Sequence, residues 1–367
     1  MKRSFIREIL EHTTNQTISF AGGLPNESLF PYEALRDSGY RALSEPSSLQ
    51  YTTSQGYRPL REKIAEHYTK QGFPTKSDEI LITSGSQQAL DIITRYYHSR
   101  EITIEAPSYL GAMNVFNLNR LEQSAVTLET DGIDIDGFAL SFQQSKLAYL
   151  IPDFQNPTGL TYSEEKRRAV AEHIENTGGI LIEDSPYSEL FFERSYPSIS
   201  SMIPEQSYHL GSFSKVLAPA LRIGWIRASE PLLQPLIPYK EAMDLHTNSV
   251  AQRIIADYLS DTEAFQRHLE TLRSSYGQKM ELFAKALDEF LPMFQYNKPK
   301  GGMFIYGSLD GISTSSLVQK CLQKDVVFVP GREFYLDGSI DNEIRFNFTN
   351  SSEDKIIEGL QIIHSVL

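Results

Sequence analysis

The sequence predicts an α/β fold in which a large domain carries a mostly parallel sheet covered by helices, with a smaller α+β domain after it. From about residue 77 to residue 227, short apolar runs alternate with longer amphipathic runs, and this alternation of strand and helix is typical of parallel sheets. From about residue 249 to residue 291, two long helical patterns follow one another. A chain of 367 residues is also too long for one small core, which favours two domains.

Six short apolar segments are predicted as strands of the large sheet, because polar or turn residues bound each of them. The segments are Ile80–Thr83, Ile102–Glu105, Leu147–Ile151, Ile180–Glu183, Tyr208–Gly211 and Ile223–Arg227. Several of the intervals between them are long enough for a helix, as the connection between two parallel strands requires.

Helices are predicted in these intervals. Between Gln87 and Tyr97, apolar residues recur at helical spacing. Thr161 and Glu164 are spaced as a capping box, which predicts the start of a second helix. Gly178 predicts the end of that helix, because glycine readily adopts the backbone conformation of a helix C-cap.

The last third of the chain is predicted to form the smaller domain. Three strand-like runs, Gly302–Tyr306, Val326–Val329 and Glu343–Phe348, precede a closing helical pattern. At the other end of the chain, a helix is predicted over Phe5–Glu11. The predicted domains are an N-terminal segment that packs with the small domain (1–40), the large ligand-binding domain (41–248) and the small C-terminal domain (249–367).

Composition and charge exclude several classes of function. Lys plus Arg number 34 and Asp plus Glu number 47, so the net charge of −13 disfavours binding to nucleic acid or anionic membranes. No apolar run approaches the ~18–20 residues that span a bilayer. The single cysteine, Cys321, allows neither an internal disulfide nor a thiolate metal cage, and the first residues carry no signal-peptide pattern. We therefore expect a cytoplasmic protein that binds small molecules and no metal.

Polar residues follow the predicted strands, at the edge where open parallel sheets bind their ligands. After the first strand, Gly85, Ser86 and Gln87 lead directly into a helix, which offers backbone N–H groups and a helix N-terminus to an anion such as phosphate. The same residues also suit an ordinary strand-to-helix turn. Asn156 and Asp184 follow later strands, where such residues serve either a ligand or a turn.

A lysine and an arginine follow the fifth predicted strand. Lys215 stands among small hydroxyl residues, and its most specific chemical use is as an amine that condenses with a carbonyl. Arg222 adds a cation, while Asp184 supplies a carboxylate and Tyr187 a hydroxyl. Pyridoxal phosphate needs an anion site for its phosphate, a lysine for its aldehyde and a carboxylate at its pyridine nitrogen. Together these residues predict a pyridoxal phosphate site.

Characteristic motifs run through nearly the whole chain. They include ISFAGGLPNESLFP (18–31), ILITSGSQQALD (80–91), PDFQNPTG (152–159), LIEDSPYSEL (181–190), GSFSKVLAPALRIGW (211–225) and IRFNF (344–348). In this order they resemble the class I and II pyridoxal-phosphate aminotransferases of fold type I. Within that family the resemblance is to 2-aminoadipate and kynurenine aminotransferases and to the C-terminal domains of MocR-type regulators. It implies a seven-stranded large sheet and a homodimer with shared active sites.

The resemblance implies a role for each motif residue. The implied catalytic residues are Lys215, which would bind the cofactor and carry the substrate proton, Asp184 at the pyridine nitrogen, and Tyr109 stacked on the ring. The implied substrate contacts are Arg345 at the carboxylate, with Asn156 and Gly23 beside it. The other implied cofactor contacts are Asn156 and Tyr187 at the ring oxygen, Gly85, Ser86, Gln87, Ser212, Ser214 and Arg222 at the phosphate, and Tyr51 at the phosphate of the neighbouring subunit.

Arg7 is a further candidate for contact with the substrate. It lies on the predicted first helix and matches a position that, in 2-aminoadipate-type relatives, reaches an acidic substrate side chain. A helix-surface arginine is also commonly solvated or ion-paired, so both interpretations stay open.

The predicted function is that of a pyridoxal-phosphate-dependent aminotransferase. It would move an amino group from an L-α-amino acid of the 2-aminoadipate, aromatic or branched-chain type to a 2-oxo acid, for which 2-oxoglutarate is expected. One alternative is another enzyme with the same cofactor, such as a β-lyase, because the fold hosts several reactions. The other is a non-catalytic amino-acid-sensing domain like that of MocR-type regulators, which the acidic charge disfavours.

Overall fold

The computed structural model describes residue 14, residues 16–98 and residues 100–367. The helix predicted over Phe5–Glu11 therefore lies outside the described residues. The strands of the described chain are β1 (Ile18–Ser19), β2 (Ile80–Thr83), β3 (Glu101–Ala106), β4 (Glu122–Glu129), β5 (Gly132–Ile133), β6 (Leu147–Leu150), β7 (Ile180–Asp184), β8 (Ser207–Ser212), β9 (Gly224–Arg227), β10 (Gln295–Tyr296), β11 (Phe304–Ser308), β12 (Val326–Val327), β13 (Val329–Pro330) and β14 (Glu343–Asn347).

The α-helices lie between and after these strands, and short 3-10 turns join several of them. The helices are α1 (Tyr32–Ser44), α2 (Arg58–Lys70), α3 (Ser86–Tyr96), α4 (Leu110–Leu118), α5 (Ile135–Ser145), α6 (Glu164–Thr177), α7 (Ile199–Met202), α8 (Glu230–Leu233), α9 (Ile237–Asp244), α10 (Ser249–Tyr258), α11 (Thr262–Phe290), α12 (Thr314–Leu322) and α13 (Glu353–Val366). Across the described ranges, no helix has the length and apolar character needed to cross a membrane.

The large sheet has the strand order β2-β9-β8-β7-β6-β3-β4-β5. Its strands from β8 to β4 pair in parallel, whereas β9 is antiparallel to both of its neighbours and the two-residue β5 is antiparallel to β4. Seven longer strands thus form the mostly parallel sheet that was expected, and β5 extends one edge. Because β2 runs in the same direction as β8, the carboxyl ends of β2, β3, β6, β7 and β8 lie at one edge of the sheet.

All six predicted strands of the large sheet are present, each within one residue of its predicted bounds. Every residue of β2, β6 and β8 is buried. Burial on both faces is the reason that β2 and β6 appear in the sequence as nearly continuous apolar runs.

The sequence analysis missed β4, the longest strand of the large sheet. Its sequence, EQSAVTLE, is mostly polar, and Val126 is its only buried residue. The strand lies near the edge of the sheet, with only the two-residue β5 outside it. Charged side chains at such an edge limit pairing with other chains. They also interrupt the run of apolar residues by which a strand is recognised in a sequence.

The predicted capping box of α6 is wrong. The helix begins at Glu164 with Ser163 as its N-cap, and Ser163 Oγ accepts a hydrogen bond from Lys166 N at 3.1 Å. Thr161 Oγ1 is buried without a hydrogen-bond partner among the described residues. An N-cap hydroxyl must directly precede the first helical residue to reach the N3 amide, and Ser163 does. The predicted end is confirmed, because Gly178 caps the helix with φ of 69°.

The last third of the chain forms a second, antiparallel sheet with the order β10-β11-β14-β13. The predicted strand Val326–Val329 is divided into β12 and β13, because β12 pairs with β1 and β13 pairs with β14. The two long helical patterns are α10 and α11, and α11 packs against the closing helix α13. The pairing of β1 with β12 joins the start of the described chain to its last third.

Candidate active site

Five strand ends bring the predicted polar residues to one edge of the large sheet. Gly85 follows β2, Tyr109 follows β3, and Asn156 follows β6. Asp184 is the last residue of β7, and Ser212 is the last residue of β8. This convergence is what the parallel arrangement predicts for a ligand site.

Lys215 lies just beyond β8 and is half-buried. Its Nζ donates a hydrogen bond to Gly23 O at 2.7 Å, so the opening segment contacts the strand ends directly. Burial, together with the positive charges of Arg345 and Arg222, lowers the pKa of Lys215 to about 8, and Asp184 opposes this shift. An ammonium that is this poorly stabilised loses its proton readily near neutral pH.

Asp184 is 2% exposed, and burial raises its pKa to about 6. Tyr149 donates a hydrogen bond to Asp184 Oδ2 at 2.8 Å. The other oxygen, Oδ1, is buried without a partner among the described residues. A buried carboxylate oxygen without a donor is costly, and the protonated pyridine nitrogen of the implied cofactor is a donor of the required kind. The carboxylate therefore fits pyridoxal phosphate.

Gly85 and Arg222 form a concave turn at the start of α3. Gly85 is the N-cap of the helix with φ of 79°, and a Cβ there would lie 2.7 Å from Arg222 Nη2. That nitrogen donates to Ser84 O at 3.1 Å, while the arginine itself remains exposed. A glycine under a guanidinium at a helix N-terminus leaves space, N–H donors and positive charge for a phosphate group.

The remaining predicted phosphate and ring residues surround this turn. Ser86 is the first residue of α3, and Gln87 Nε2 donates to Gly111 O at 3.0 Å, which links α3 to α4. Ser214 N donates to Ser212 Oγ at 3.1 Å in the turn before Lys215. Tyr109 is the N-cap residue of α4. The structure thus brings the hydroxyl and amide groups to the same edge as Lys215.

Arg345 lies on β14, in the second sheet, and reaches the same site. It is 1% exposed, and its Nη1 donates to Asn156 Oδ1 at 2.7 Å. Asn156 Nδ2 in turn donates to the hydroxyl of Tyr187 at 3.5 Å. Burial lowers the pKa of Arg345 to about 10, so the guanidinium keeps its charge at neutral pH. Its Nε is buried without a partner among the described residues and is available to a carboxylate.

Two predicted residues stand apart from this cluster. Tyr51 is 78% exposed, and its ring lies edge-on to His246 with centroids 5.7 Å apart. It makes no hydrogen bond to the cluster within the described chain, although exposure is what a contact to a neighbouring subunit requires. Arg7 lies outside the described residues.

The sequence analysis missed the contributions of Tyr149 and Glu105. Tyr149 lies in the middle of a predicted strand, where an aromatic residue is expected in the core. Glu105 is 1% exposed at the end of β3 and accepts hydrogen bonds from Ile151 N at 3.1 Å and Gln155 Nε2 at 3.0 Å. These contacts fix the turn that carries Asn156. A glutamate is rarely buried in an apolar strand, so its position in the sequence could have identified Glu105 as a residue with a structural role.

Phe304 is fully buried. It also lies beside the candidate site, because Arg345 Cζ is 4.4 Å from its ring centroid and a Cβ on Gly23 would lie 3.3 Å from its ring. Asp153, another polar residue after β6, serves the fold instead, since Arg167 Nη2 donates to its Oδ1 at 2.6 Å.

Comparison with known proteins places these features in one family. The sequence profile of the family "Aminotransferase class I and II" matches residues 21–363. The 2-aminoadipate transaminase of Thermus thermophilus is 36% identical over 98% of this chain and 93% of its own length. Aromatic-amino-acid aminotransferase 1 of Thermococcus litoralis is 35% identical over 98% of this chain and 90% of its own. The crystal structure of Pyrococcus horikoshii kynurenine aminotransferase with PMP has a TM-score of 0.93 at 34% identity, covering 100% of this chain and 94% of that chain.

Proposed function

Because the chain belongs to the class I and II aminotransferase family and is a pyridoxal-phosphate-dependent aminotransferase, we propose a residue-level account of its reaction and of its acceptor. The amino donor is an L-α-amino acid of the 2-aminoadipate, aromatic or branched-chain type, and the acceptor is 2-oxoglutarate. Kynurenine, which a similar enzyme binds, belongs to the aromatic group of donors. The observation that carries the account is the meeting of the half-buried Lys215 amine, the unpaired Asp184 Oδ1 and the buried Arg345 guanidinium.

Asp184 prepares the cofactor in this proposal. When bound, pyridoxal phosphate supplies an electron-poor ring that stabilises negative charge at the substrate α-carbon. Asp184 Oδ1 would accept the pyridine N–H, while the hydrogen bond from Tyr149 to Oδ2 holds the carboxylate in place. The negative charge of Asp184 keeps that nitrogen protonated, which the electron-poor ring requires.

Lys215 acts as nucleophile and then as base. Lys215 would hold the aldehyde of bound pyridoxal phosphate through its amine, and the same amine, when free, would move the proton at the substrate α-carbon. A pKa of about 8 supports this role, because a useful fraction of the amine is neutral near pH 7. The hydrogen bond to Gly23 O holds the free amine at the strand ends.

Arg345 and Asn156 bind the substrate α-carboxylate in this account. The guanidinium offers parallel N–H donors that match a carboxylate, and its Nε has no other partner among the described residues. The hydrogen bond from Arg345 Nη1 to Asn156 Oδ1 orients the guanidinium. Donor and acceptor share the α-carboxylate, so the same pair serves both halves of the reaction. Arg7 is proposed to contact an acidic side chain of the substrate.

The phosphate is held by the turn at the start of α3 and by the loop after β8. Gly85, Ser86 and Gln87 provide backbone and side-chain donors, and Arg222 provides the cation. Ser212 and Ser214 add hydroxyl groups from the other side. Tyr109 would stack on the ring of the bound cofactor, and Tyr187 and Asn156 would contact its ring oxygen.

The assembly is proposed to be a homodimer with shared active sites, in which Tyr51 reaches the phosphate bound by the neighbouring subunit. The exposure of Tyr51 supports this contact. We further propose the division of the chain into residues 1–40, 41–248 and 249–367, and a cytoplasmic location. The single cysteine, Cys321, which is free and buried, supports a reducing compartment.

A comparison of acceptors tests the proposed reaction. The holoenzyme is given L-2-aminoadipate with 2-oxoglutarate, pyruvate or glyoxylate, and the amino acid formed is measured. We expect 2-oxoglutarate to have a kcat/KM at least about tenfold above that of the other two, as one extra charged contact would give. Equal values for the three acceptors would overturn the assignment. Ammonia and pyruvate released from cystathionine would instead reveal a β-lyase.

A further inference from the structure

A cavity of about 1060 Å3 lies apart from the residues assigned above to catalysis and binding. It is bounded by α2, by the loop that follows β7, and by the start of α11. Among the described residues of the proposed active site, only Ser212 lines it. Its volume is in the range that holds a small organic molecule.

Aromatic side chains form much of the wall of this cavity. Tyr68, Phe73, Phe213, Trp225 and Phe265 line it, and the rings of Phe213 and Trp225 have centroids 4.8 Å apart. Aromatic faces in a cavity favour a flat apolar ligand that stacks on them or meets them edge to face.

A chain of hydrogen bonds leads to His209 in the same wall. Trp225 Nε1 donates to the hydroxyl oxygen of Tyr68 at 2.8 Å, and that hydroxyl lies 2.7 Å from His209 Nδ1. Burial lowers the pKa of His209 to about 4, so the imidazole is neutral at physiological pH. The buried Tyr68 hydroxyl needs an acceptor, so it donates to Nδ1 and leaves the imidazole proton on Nε2. That N–H has no hydrogen-bond partner among the described residues.

Ser185 supplies a second unused polar group. It is 5% exposed, it lines the cavity, and its Oγ has no hydrogen-bond partner in the described chain. A buried donor without a partner costs free energy that a bound acceptor would recover. His209 and Ser185 therefore both favour a ligand with a hydrogen-bond acceptor.

Most of the charged groups along the cavity already have partners, and Glu270, which has no ion pair in the described chain, is exposed to solvent. The ion pairs are Lys63–Glu66 at 3.6 Å, Lys70–Glu66 at 2.9 Å, Asp153–Arg167 at 2.6 Å, Glu189–Arg273 at 2.8 Å and Arg267–Glu263 at 3.5 Å. Every lysine and arginine that lines the cavity in the described ranges thus has a carboxylate partner, with Lys63 and Lys70 sharing Glu66. An anionic ligand would find no free counter-ion there, which favours an uncharged one.

We propose that this cavity is a second binding site, which takes an uncharged aromatic molecule with a hydrogen-bond acceptor such as an amide carbonyl. The flat ring packs among the aromatic side chains, and the carbonyl accepts from His209 Nε2 or Ser185 Oγ. The site is independent of the proposed amino donor and acceptor.

The fluorescence of Trp225 offers a direct test, because it is the only tryptophan of the chain and it lines the cavity. The holoenzyme is titrated with benzamide, and with benzoate and benzylamine as charged probes of the same size. We expect a saturable change with benzamide and an affinity at least about tenfold weaker for both charged probes, because neither can regain its hydration in the cavity. No saturable change with benzamide, or equal affinity for benzoate, would overturn the proposal.

Two variants connect the signal to the cavity. His209→Leu removes the imidazole N–H and is expected to weaken benzamide binding about five- to tenfold, as the loss of one hydrogen bond does. His173→Leu, the same change at a half-buried histidine outside the cavity, is the control and should leave the affinity unchanged. Ser185→Leu removes no existing side-chain hydrogen bond, takes away the unused hydroxyl and places a bulkier apolar group in the cavity wall, so it should weaken binding even if His209→Leu does not fold. Unchanged benzamide affinity in Ser185→Leu would place the probe elsewhere and overturn the assignment.

Discussion

The amine of Lys215 is held where its charged form is poorly stabilised. Burial and two neighbouring arginines disfavour the ammonium, and the nearby Asp184 only partly offsets them. The same surroundings that destabilise the charge make the amine a nucleophile near neutral pH. Activity at this residue is thus obtained at the expense of folding stability, a trade-off that is measurable in the protein without cofactor.

We expect Lys215→Met to stabilise the cofactor-free protein while removing activity. The fall in the pKa of Lys215 from its ordinary 10.5 to about 8 corresponds to roughly 3 kcal/mol at pH 7. The Lys215 amine binds its proton more tightly in the unfolded chain than in the folded protein. The stability of the wild type therefore rises with pH between about 8 and 10.5. Over this range the extra stability of Lys215→Met disappears. Urea unfolding at several pH values measures this difference. A variant that is no more stable than wild type at pH 7, or that retains turnover, would contradict this account.

Much of the site could be predicted from the sequence because its residues follow strands that are themselves recognisable. Asp184 and Lys215 stand next to apolar runs, and the parallel arrangement predicts that such positions meet. Tyr149 could not be predicted as a partner of Asp184. Its role depends on the pairing of β6 with β7. The sequence of neither strand shows which strand it will pair with.

At the scale of single elements, the start of α6 offers a matched comparison of two hydroxyl residues. Ser163→Ala removes the hydroxyl that accepts from Lys166 N and is expected to cost about 1 kcal/mol of stability. Thr161→Val removes a hydroxyl without a partner in the described chain and should cost close to nothing. Thermal or urea unfolding of the two variants measures the difference. Equal losses of stability in the two variants would indicate that Thr161 caps the helix, as the sequence predicted.

The missed strand β4 shows which elements a hydrophobic pattern does not identify. Buried strands such as β2 and β6 are visible because all their residues are apolar or enclosed. In β4 only Val126 is buried, so the sequence resembles a solvated loop. Backbone hydrogen bonds pair β4 with β3 over six residues. The side-chain pattern of β4 gives little indication of this pairing.

At the scale of the whole molecule, exposed apolar side chains support the proposed homodimer. Tyr40, Leu49 and Tyr51 are each more than 70% exposed. The segment that carries the last two packs on α10, since Ser249 Oγ donates to Ser48 O at 2.9 Å. Large exposed apolar side chains of this kind are a feature of protein interfaces.

We expect the holoenzyme to sediment as a dimer, at twice the subunit mass of 41.6 kDa. Leu49→Glu would place a charge in the proposed interface, so it should shift the protein towards monomer and weaken cofactor binding through loss of Tyr51. Leu140→Glu makes the same change at a 72% exposed leucine on α5 and should leave the dimer intact. A fully active monomer in either the wild type or Leu49→Glu would refute the shared active site.

The visible spectrum of the holoenzyme tests the central claim most directly. Pyridoxal phosphate bound to Lys215 gives an absorption band in the visible range, and L-2-aminoadipate is then added without any acceptor. The account predicts that the band disappears as the cofactor takes the amino group, and that 2-oxoglutarate restores it with formation of glutamate. A band that responds to none of the 2-aminoadipate, aromatic or branched-chain amino acids would contradict the proposed transamination.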